Sequence, residues 1–237
     1  CHPSLANDNL SGLVVMAALA RELAARPRRR LSYRFLFAPG TIGAITWLAR
    51  NEAATARIAH GLVAAGLGDG GAFHYKRSRR GDATIDRAVP MALAGLGERT
   101  VVEDFIPFGY DERQYNSPGF ALPVGSLTRT PWGRYPEYHT SADDLAFIRP
   151  EHLERSLAAY RAVLDLLEGN ASYRNLSPKG EPMLGRHGLY RSIGGGYDNR
   201  TAPRAATQWA VGQMLVVAAS LNTDAPPATA EDFLRIF

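Results

Sequence analysis

HPSLANDNLSG, the run His2–Gly12, is the most informative stretch of this chain. It places the imidazole of His2 and the carboxylate of Asp8 just ahead of a predicted helix. Both groups are zinc ligands by type. The same residues also have a structural interpretation, because Asp8 or Asn9 can cap the helix and His2 can be an exposed terminal residue. On these residues alone the two interpretations stay open.

Strands and helices alternate downstream of this stretch. Hydrophobic periodicity predicts helices over 10–26, 42–51, 85–96 and 150–167, and strands over 31–37, 58–67, 73–77, 101–105 and 121–127. The alternation predicts an α/β fold, with a mostly parallel, mixed sheet and helices on both faces. Ligands of such sheets bind beyond the carboxyl ends of strands, so we expect site residues in the turns that follow strands.

A second candidate segment is Glu137–Asp144, EYHTSADD, in which Asp143 follows His139 by four residues. A metal-binding histidine with a carboxylate partner behind it has this composition. A surface loop followed by a helix cap also explains these residues, and on this segment alone it is the favoured interpretation.

Two further segments are less specific. Asp69 lies in Gly66–Gly71, just after a predicted strand, where a sheet presents ligands, although a plain Gly/Asp turn has the same composition. The segment Asp111–Phe120 mixes charged residues, aromatic residues and a turn, and its structural alternative is a polar loop.

Composition excludes several classes of protein. Hydrophobic residues make up 46% and charged residues 21% of the 237, which excludes a disordered, collagen-like or coiled-coil chain. No apolar run approaches the ~20 residues that cross a bilayer, so no membrane partner is expected. The single cysteine, Cys1, excludes an internal disulfide framework. The net charge of +4 is too small to indicate nucleic acid by itself.

The composition of the sequence changes near residue 169, after which Gly, Pro, Ser and Arg become frequent. We expect an α/β domain over 1–168 and a loop-rich and helical extension over 169–237, with a loop over 171–200 and a helix over 204–221. The chain begins at Cys1 without a signal peptide and is interpreted as part of a longer protein. A cytoplasmic location is expected, although upstream sequence could hold a targeting signal.

Together these segments resemble the bacterial co-catalytic zinc aminopeptidases over about residues 1–168. Asn7–Gly12 matches the family's Asn-Asp-Asn-x-Ser-Gly segment, in which the Asp bridges two zinc ions and an upstream His binds one of them. The segment around His139 resembles the later histidine ligand segment. Asp69 matches, by order and distance, the Asp that follows the family's paired glutamates.

The resemblance extends to Asp111–Phe120, where Asp111, Tyr115 and Gly119 fall at the spacing of the family's Ser-Asp-His-x-x-Phe-x-x-x-Gly segment. It implies a place beside the ligands or the substrate for Asp111 and Tyr115, and likewise for Asp143.

A closer resemblance is to a bacterial subfamily with an aminopeptidase-like domain that accompanies polysaccharide biosynthesis. Its typical strings match His2–Gly12, Glu137–Asp143 and Lys179–Tyr190, KGEPMLGRHGLY. That subfamily has a C-terminal winged helix, which residues 204–237 do not resemble well, so nucleic acid is not expected as a partner of this chain.

Two positions depart from the aminopeptidase pattern. The resemblance places a Glu-Glu pair where this chain has Gly40 and Thr41. The first Glu is the family's general base and the second binds the second zinc. Glu137 or Glu112 is the candidate replacement for the base, with Glu137 preferred.

The resemblance implies zinc as the cofactor, and its ligands can be counted. A first zinc keeps His2, Asp8 and Asp69, and three protein ligands are usual for a catalytic zinc. A second zinc keeps only the bridging Asp8 and His139. One zinc site is therefore expected, and the second is in doubt.

The resemblance implies a zinc-dependent aminopeptidase-like hydrolase that cleaves peptide or amide bonds, with activity weakened by Gly40. The alternative is an inactive binding protein linked to polysaccharide biosynthesis. A third hypothesis is a regulator that binds nucleic acid through basic runs such as Lys76–Arg80. In the family a strand leads into the first histidine, so its loss would open a sheet edge, and self-association is expected.

Overall fold

The computed structural model describes residues 5–170 and the strand residues 172–173 and 228–229. The chain divides into two compact units, Cys1–Glu168 and Gly169–Phe237. The helices are α1 (Gly12–Ala25), α2 (Ile42–Arg50), α3 (Glu52–Thr55), α4 (Thr84–Gly95), α5 (Glu112–Tyr115) and α6 (Pro150–Gly169), and a π-helical turn, Ala6–Ser11, precedes α1. The strands are β1 (Gly61–Ala64), β2 (Phe73–Lys76), β3 (Thr100–Glu103), β4 (Val124–Thr128), β5 (Ser172–Tyr173) and β6 (Ala228–Thr229).

The first unit is built on a four-stranded sheet with the order β1-β4-β2-β3. β1 runs parallel to β4, with Leu62 opposite Gly125, and β2 runs parallel to β3. β2 and β4 are antiparallel, with Tyr75 opposite Leu127. The sheet is therefore mixed, as the sequence predicts.

Side chains alternate between the two faces of this sheet, as they must in a strand. On one face, Leu127 of β4 and Tyr75 of β2 join the main core, to which α1, α4 and α6 contribute. On the other face, Val124 of β4 packs with Leu48 of α2 and with Leu122. The prediction of helices on both faces is confirmed.

The predicted strand over 31–37 is wrong in one respect. The segment is extended, and Leu31, Tyr33 and Phe35 pack against the core at alternating positions, but no strand is assigned there. The backbone N–H groups of Arg30 and Leu31 donate to the Glu168 carboxylate instead. Alternating burial shows which face of a segment is buried, but not which strand lies beside it.

In the second unit, β5 pairs with β6 in antiparallel fashion. Apart from β5, the predicted loop over 171–200 lies outside the described residues, as does the predicted helix over 204–221. Within the described part of the chain, every helix is too short or too polar to cross a membrane.

Candidate metal and catalytic site

The turn Ala6–Ser11 is fixed to the carboxyl end of β1. The Asn9 side-chain oxygen accepts from the backbone N–H of Gly12 at 3.1 Å and of Gly66 at 3.2 Å. Its amide nitrogen donates to the Ala64 carbonyl at 2.9 Å. Of the two residues predicted to cap α1, Asn9 therefore does so. The Asp8 carboxylate takes no part in this cap.

Asp143 holds the backbone of the same turn. Its carboxylate accepts from the N–H groups of Asn7 at 2.5 Å and Asp8 at 3.0 Å, and its side chain is buried. Asp143 also accepts through its backbone carbonyl from the N–H of Ala6 at 2.9 Å. A residue four positions after His139 thus orients the backbone that carries Asp8.

The structure brings Asp8 and His139 together. Asp8 Oδ2 lies 3.0 Å from His139 Nε2, and Asp8 is buried while the His139 side chain is 44% exposed. The His139 backbone adopts φ of 57°, which is uncommon for a residue with a side chain and is found more often at functional sites. The His139 ring stacks on Tyr138, with ring centroids 3.9 Å apart.

Asp69 lies beside the same turn but in a different environment. Its Oδ1 accepts from Thr130 Oγ1 at 2.6 Å and from the Gly71 N–H at 2.8 Å. Its Oδ2 accepts from Asn7 Nδ2 at 3.0 Å. Because Asn7 directly precedes Asp8, this hydrogen bond connects Asp69 to the turn that carries Asp8. Hydrogen bonds of this kind orient carboxylates that bind metals, and they equally stabilise a buried structural carboxylate.

The donor types fit zinc, and among the predicted ligands that the structure describes, Asp8 and His139 are in contact. Within residues 5–170 and the two short strands, no group of three or more His, Cys, Asp or Glu side chains could hold a metal ion. His2 lies outside the described residues. The contact joins Asp8 to His139, the pair assigned to the second zinc, and the roles of all four residues as ligands stay predictions.

Three tyrosines, Tyr110, Tyr135 and Tyr138, line the site, and the sequence analysis pointed only to Tyr138, beside His139. Burial, and next the charge of Asp8, raises the pKa of both Tyr110 and Tyr135, and the same causes raise the pKa of Tyr138. These phenols stay protonated and can donate hydrogen bonds. Tyr138 adjoins His139 in sequence, but the approach of Tyr110 and Tyr135 follows only from the fold.

Gly40 faces a carboxylate. The nearest atom to a Cβ built on Gly40 is Asp111 Oδ1 at 3.4 Å, followed by Asp111 Oδ2 at 3.9 Å. Burial, and then the charge of Glu112, raises the pKa of Asp111 to about 6. Burial and the charge of Asp111 in turn raise the pKa of Tyr115 to about 12. Thr41 directly precedes α2.

The two glutamates considered as replacement bases differ in environment. Glu112 is buried and forms an ion pair with Lys76, whose ammonium also donates to the Phe108 carbonyl at 2.6 Å. The ion pair directs the Glu112 carboxylate to Lys76, and its role as a base stays a prediction. The Glu137 carbonyl accepts from the Thr140 N–H at 3.0 Å, closing the turn that presents His139. The catalytic role of Glu137 stays a prediction.

The chain is similar to known proteins over most of its length. The model of the family DUF4910, a domain of unknown function, matches residues 1–170. A Clostridium acetobutylicum protein named for polysaccharide biosynthesis and an aminopeptidase-like domain is 50% identical over 198 residues. That alignment covers 84% of this chain and 45% of the relative.

Solved structures confirm the fold. A crystal structure described as a peptidase from Clostridium acetobutylicum superposes with a TM-score of 0.80 at 40% identity, covering 100% of this chain and 50% of the other. A zinc aminopeptidase from Bacillus subtilis superposes with a TM-score of 0.56 at 19% identity, covering 67% and 41%. The resemblance read from the motifs is confirmed, and this chain spans about half the length of the relatives it matches.

A second family model, a winged helix-turn-helix, matches residues 171–219. The expectation that residues 204–237 do not resemble the subfamily's winged helix is therefore wrong for the part that the match covers. Glycine, proline and arginine near its start gave residues 171–200 the composition of a loop, which concealed the pattern of a small domain.

Proposed function

The chain belongs to the DUF4910 family, and from that membership we propose that it is a zinc-dependent, aminopeptidase-like hydrolase of peptide or amide bonds. The observation that carries the proposal is the 3.0 Å contact between Asp8 Oδ2 and His139 Nε2. The fold alone would not suffice, since one fold serves many functions. Here a carboxylate and an imidazole meet on the segments that match the ligand motifs of zinc aminopeptidases.

In this proposal the site residues bind zinc, hold the backbone of the site or contact the substrate. Asp8 would hold zinc with His2 and Asp69 at one position and with His139 at the other, and the metal would polarise the scissile carbonyl and promote ionisation of water. Asp143 keeps the Asp8 backbone in place through the N–H groups of Asn7 and Asp8. The neutral phenols of Tyr110 and Tyr135 offer hydrogen-bond donors to a substrate near Asp8.

Hydrolysis of amino-acid anilides by the zinc-supplemented chain tests this proposal. We expect turnover that Asp8→Ala abolishes, because Asp8 is the residue assigned to both metal positions. Asp82→Ala is the matched control, since Asp82 is an exposed carboxylate paired with Arg80 and its loss removes the same charge. Equal rates in the unmodified chain and Asp8→Ala would contradict the assignment.

An inactive binding protein is the second candidate, and the residues at Gly40 and Thr41 favour it. Neither position supplies the carboxylate of the aminopeptidase pattern. A missing general base typically costs ~10²–10⁴ in rate. If the chain binds dipeptides in calorimetry but hydrolyses none across a panel of substrates, this candidate replaces the first.

The winged-helix match supports nucleic acid as a partner of residues 171–219, although the net charge alone does not indicate one. Retention on immobilised DNA that weakens steeply with added salt would support this candidate. It concerns the second unit and is compatible with hydrolysis by the first.

A further inference from the structure

Asp111 is placed unusually for an aspartate at the start of a helix. It occupies the N-cap position of α5, yet its side chain makes no capping hydrogen bond. Its Oδ1 is buried and has no hydrogen-bond partner among the described residues. Buried carboxylate oxygens are normally satisfied, and an exception calls for an explanation.

Both oxygens of this carboxylate face Gly40, at 3.4 and 3.9 Å from a Cβ built there. By resemblance, Gly40 stands where zinc aminopeptidases carry the glutamate that accepts a proton. The space beside Gly40 is therefore adjacent to a carboxylate from another loop. The chain thus lacks a glutamate at position 40, but Asp111 supplies a carboxylate next to it.

The loop of Asp111 also borders the Asp8–His139 pair. Tyr110, which directly precedes Asp111, is close enough for the Asp8 charge to raise its pKa. Tyr110 is also hydrogen-bonded to Tyr138, whose ring stacks on His139. Residues 110–111 thus extend from the proposed ligands to the proposed base position.

We propose that Asp111 is the general base of this site, in place of the glutamate that Gly40 replaces; the inference rests on the hydrolase function proposed above. The water oxygen bonds to the scissile carbonyl carbon, the C=O π pair moves onto the carbonyl oxygen, and the water proton passes to the Asp111 carboxylate. The C=O bond then re-forms as the C–N bond breaks with its electron pair on nitrogen. The protonated Asp111 returns its proton to that nitrogen, which leaves as the amine.

The electrostatic surroundings suit this role. Burial, and next the charge of Glu112, raises the pKa of Asp111 to about 6, while Arg113 acts in the opposite direction. Tyr115 also borders Asp111 and stays neutral, and Gly40 and Thr41 add no titratable group. A base is most effective when its pKa lies near the working pH.

Gly40→Glu does not simply restore the family's site. The new carboxylate would meet that of Asp111, and two carboxylates sharing a site resist joint ionisation. We therefore expect Gly40→Glu to raise turnover in an Asp111→Asn background and to do little in the unmodified chain.

The test compares the full zinc-loaded chain with Asp111→Asn, Asp111→Asn/Gly40→Glu and the control Asp104→Asn, whose carboxylate is exposed and pairs with Arg77. We expect Asp111→Asn to keep its zinc and to lose ~10²–10⁴ in kcat. The acid limb of the kcat pH profile near 6 should vanish with it. Carbon-detected NMR of the metal-free chain should show Asp111 titrating near 6.

Each outcome decides between the proposals. Unchanged kcat in Asp111→Asn overturns the inference alone, as does loss of zinc from that variant, because Asp111 would then be a ligand. A titration midpoint near the ordinary aspartate pKa of 3.8 in the unmodified chain also contradicts it, and this measurement does not depend on the folding of the variant. Zinc binding without turnover in the unmodified chain overturns the hydrolase proposal, and the inference with it.

Discussion

Asp143 shows how a single carboxylate joins two segments that lie far apart in sequence. It accepts from the backbone of Asn7 and Asp8, and it lies four residues after His139. The carboxylate therefore orients one proposed ligand from the loop that carries the other. Neighbours of this kind typically change metal affinity 10–100-fold when they are replaced.

Asp143→Asn should weaken zinc binding by about 10–100-fold. The amide keeps one acceptor but turns its NH₂ group toward a backbone N–H, so the turn that carries Asp8 loosens. Calorimetric titration with zinc measures the effect, with Asp82→Asn as the exposed control. An affinity equal to that of the unmodified chain would show that Asp143 has no part in holding Asp8.

Asp111→Asn should stabilise the metal-free chain above pH 6. The pKa of Asp111 is about 6 in the folded chain and 3.8 for an ordinary aspartate, so the folded state binds more protons between these limits. The free energy of unfolding of the unmodified chain therefore falls as pH rises from about 4 to 6. The Asp111→Asn variant does not lose this stability, because asparagine does not ionise. One pKa unit corresponds to about 1.4 kcal/mol, and because solvent screens this half-buried carboxylate, the gain is on the order of 1 kcal/mol.

Urea denaturation at pH 4 and pH 7 measures this difference, with Asp104→Asn as the control. A gain of equal size at both pH values would indicate that ionisation of Asp111 is not its source.

At the scale of single residues, the sequence predicts the meeting of Asp8 and His139 through motif resemblance rather than through spacing, since 131 positions separate them. It does not predict Tyr110 or Tyr135, because an aromatic residue in a loop has many possible partners. The contact between Gly40 and Asp111 is hidden for the same reason. Only the fold brings these two loops together.

At the scale of elements, α4 illustrates how a buried network fixes a helix. Asp86 accepts from Tyr75 Oη at 2.8 Å, from the Ser78 N–H at 2.7 Å and its Oγ at 2.6 Å, and from the Ala83 N–H at 3.1 Å. One carboxylate thus ties the start of α4 to β2 and to the turn that follows it.

Asp86→Ala should destabilise the fold by about 3 kcal/mol, because it leaves several buried donors without an acceptor. Asp82→Ala, four residues earlier and exposed, should change stability by less than about 0.5 kcal/mol. Chemical denaturation compares the two variants. Similar effects from both would argue that the network contributes little.

Elements with strong periodicity were predictable to within a few residues. The helix expected over 150–167 is α6, Pro150–Gly169, and the strand expected over 73–77 is β2, Phe73–Lys76. The segment over 31–37 shows where periodicity fails to predict a strand, because a strand also needs a neighbouring strand to pair with. The neighbour of a strand is a property of the whole sheet and leaves no mark on the segment itself.

At the scale of the whole molecule, the segment 31–37 bears on self-association, which stays a prediction. Leu36 and Phe37 are exposed at 43% and 51%, on an extended segment outside the sheet. Extended segments with exposed apolar side chains tend to pair with other chains.

Leu36→Lys should shift the chain toward the monomer in analytical ultracentrifugation, because a charge opposes burial of this exposed apolar surface in an interface. Leu145→Lys is the control, since Leu145 is 81% exposed in a different loop. If both variants associate like the unmodified chain, or if the chain is monomeric throughout, the segment is not an interface.

The central claim is that Asp8 and His139 hold zinc, and an anomalous difference map from zinc-loaded crystals tests it most directly. The account predicts a zinc peak about 2.0–2.2 Å from both Asp8 Oδ2 and His139 Nε2, replacing their direct 3.0 Å contact. The map should also show whether His2 and Asp69 complete the site. A map without a peak beside this pair, or with zinc held only by other residues, would contradict the account.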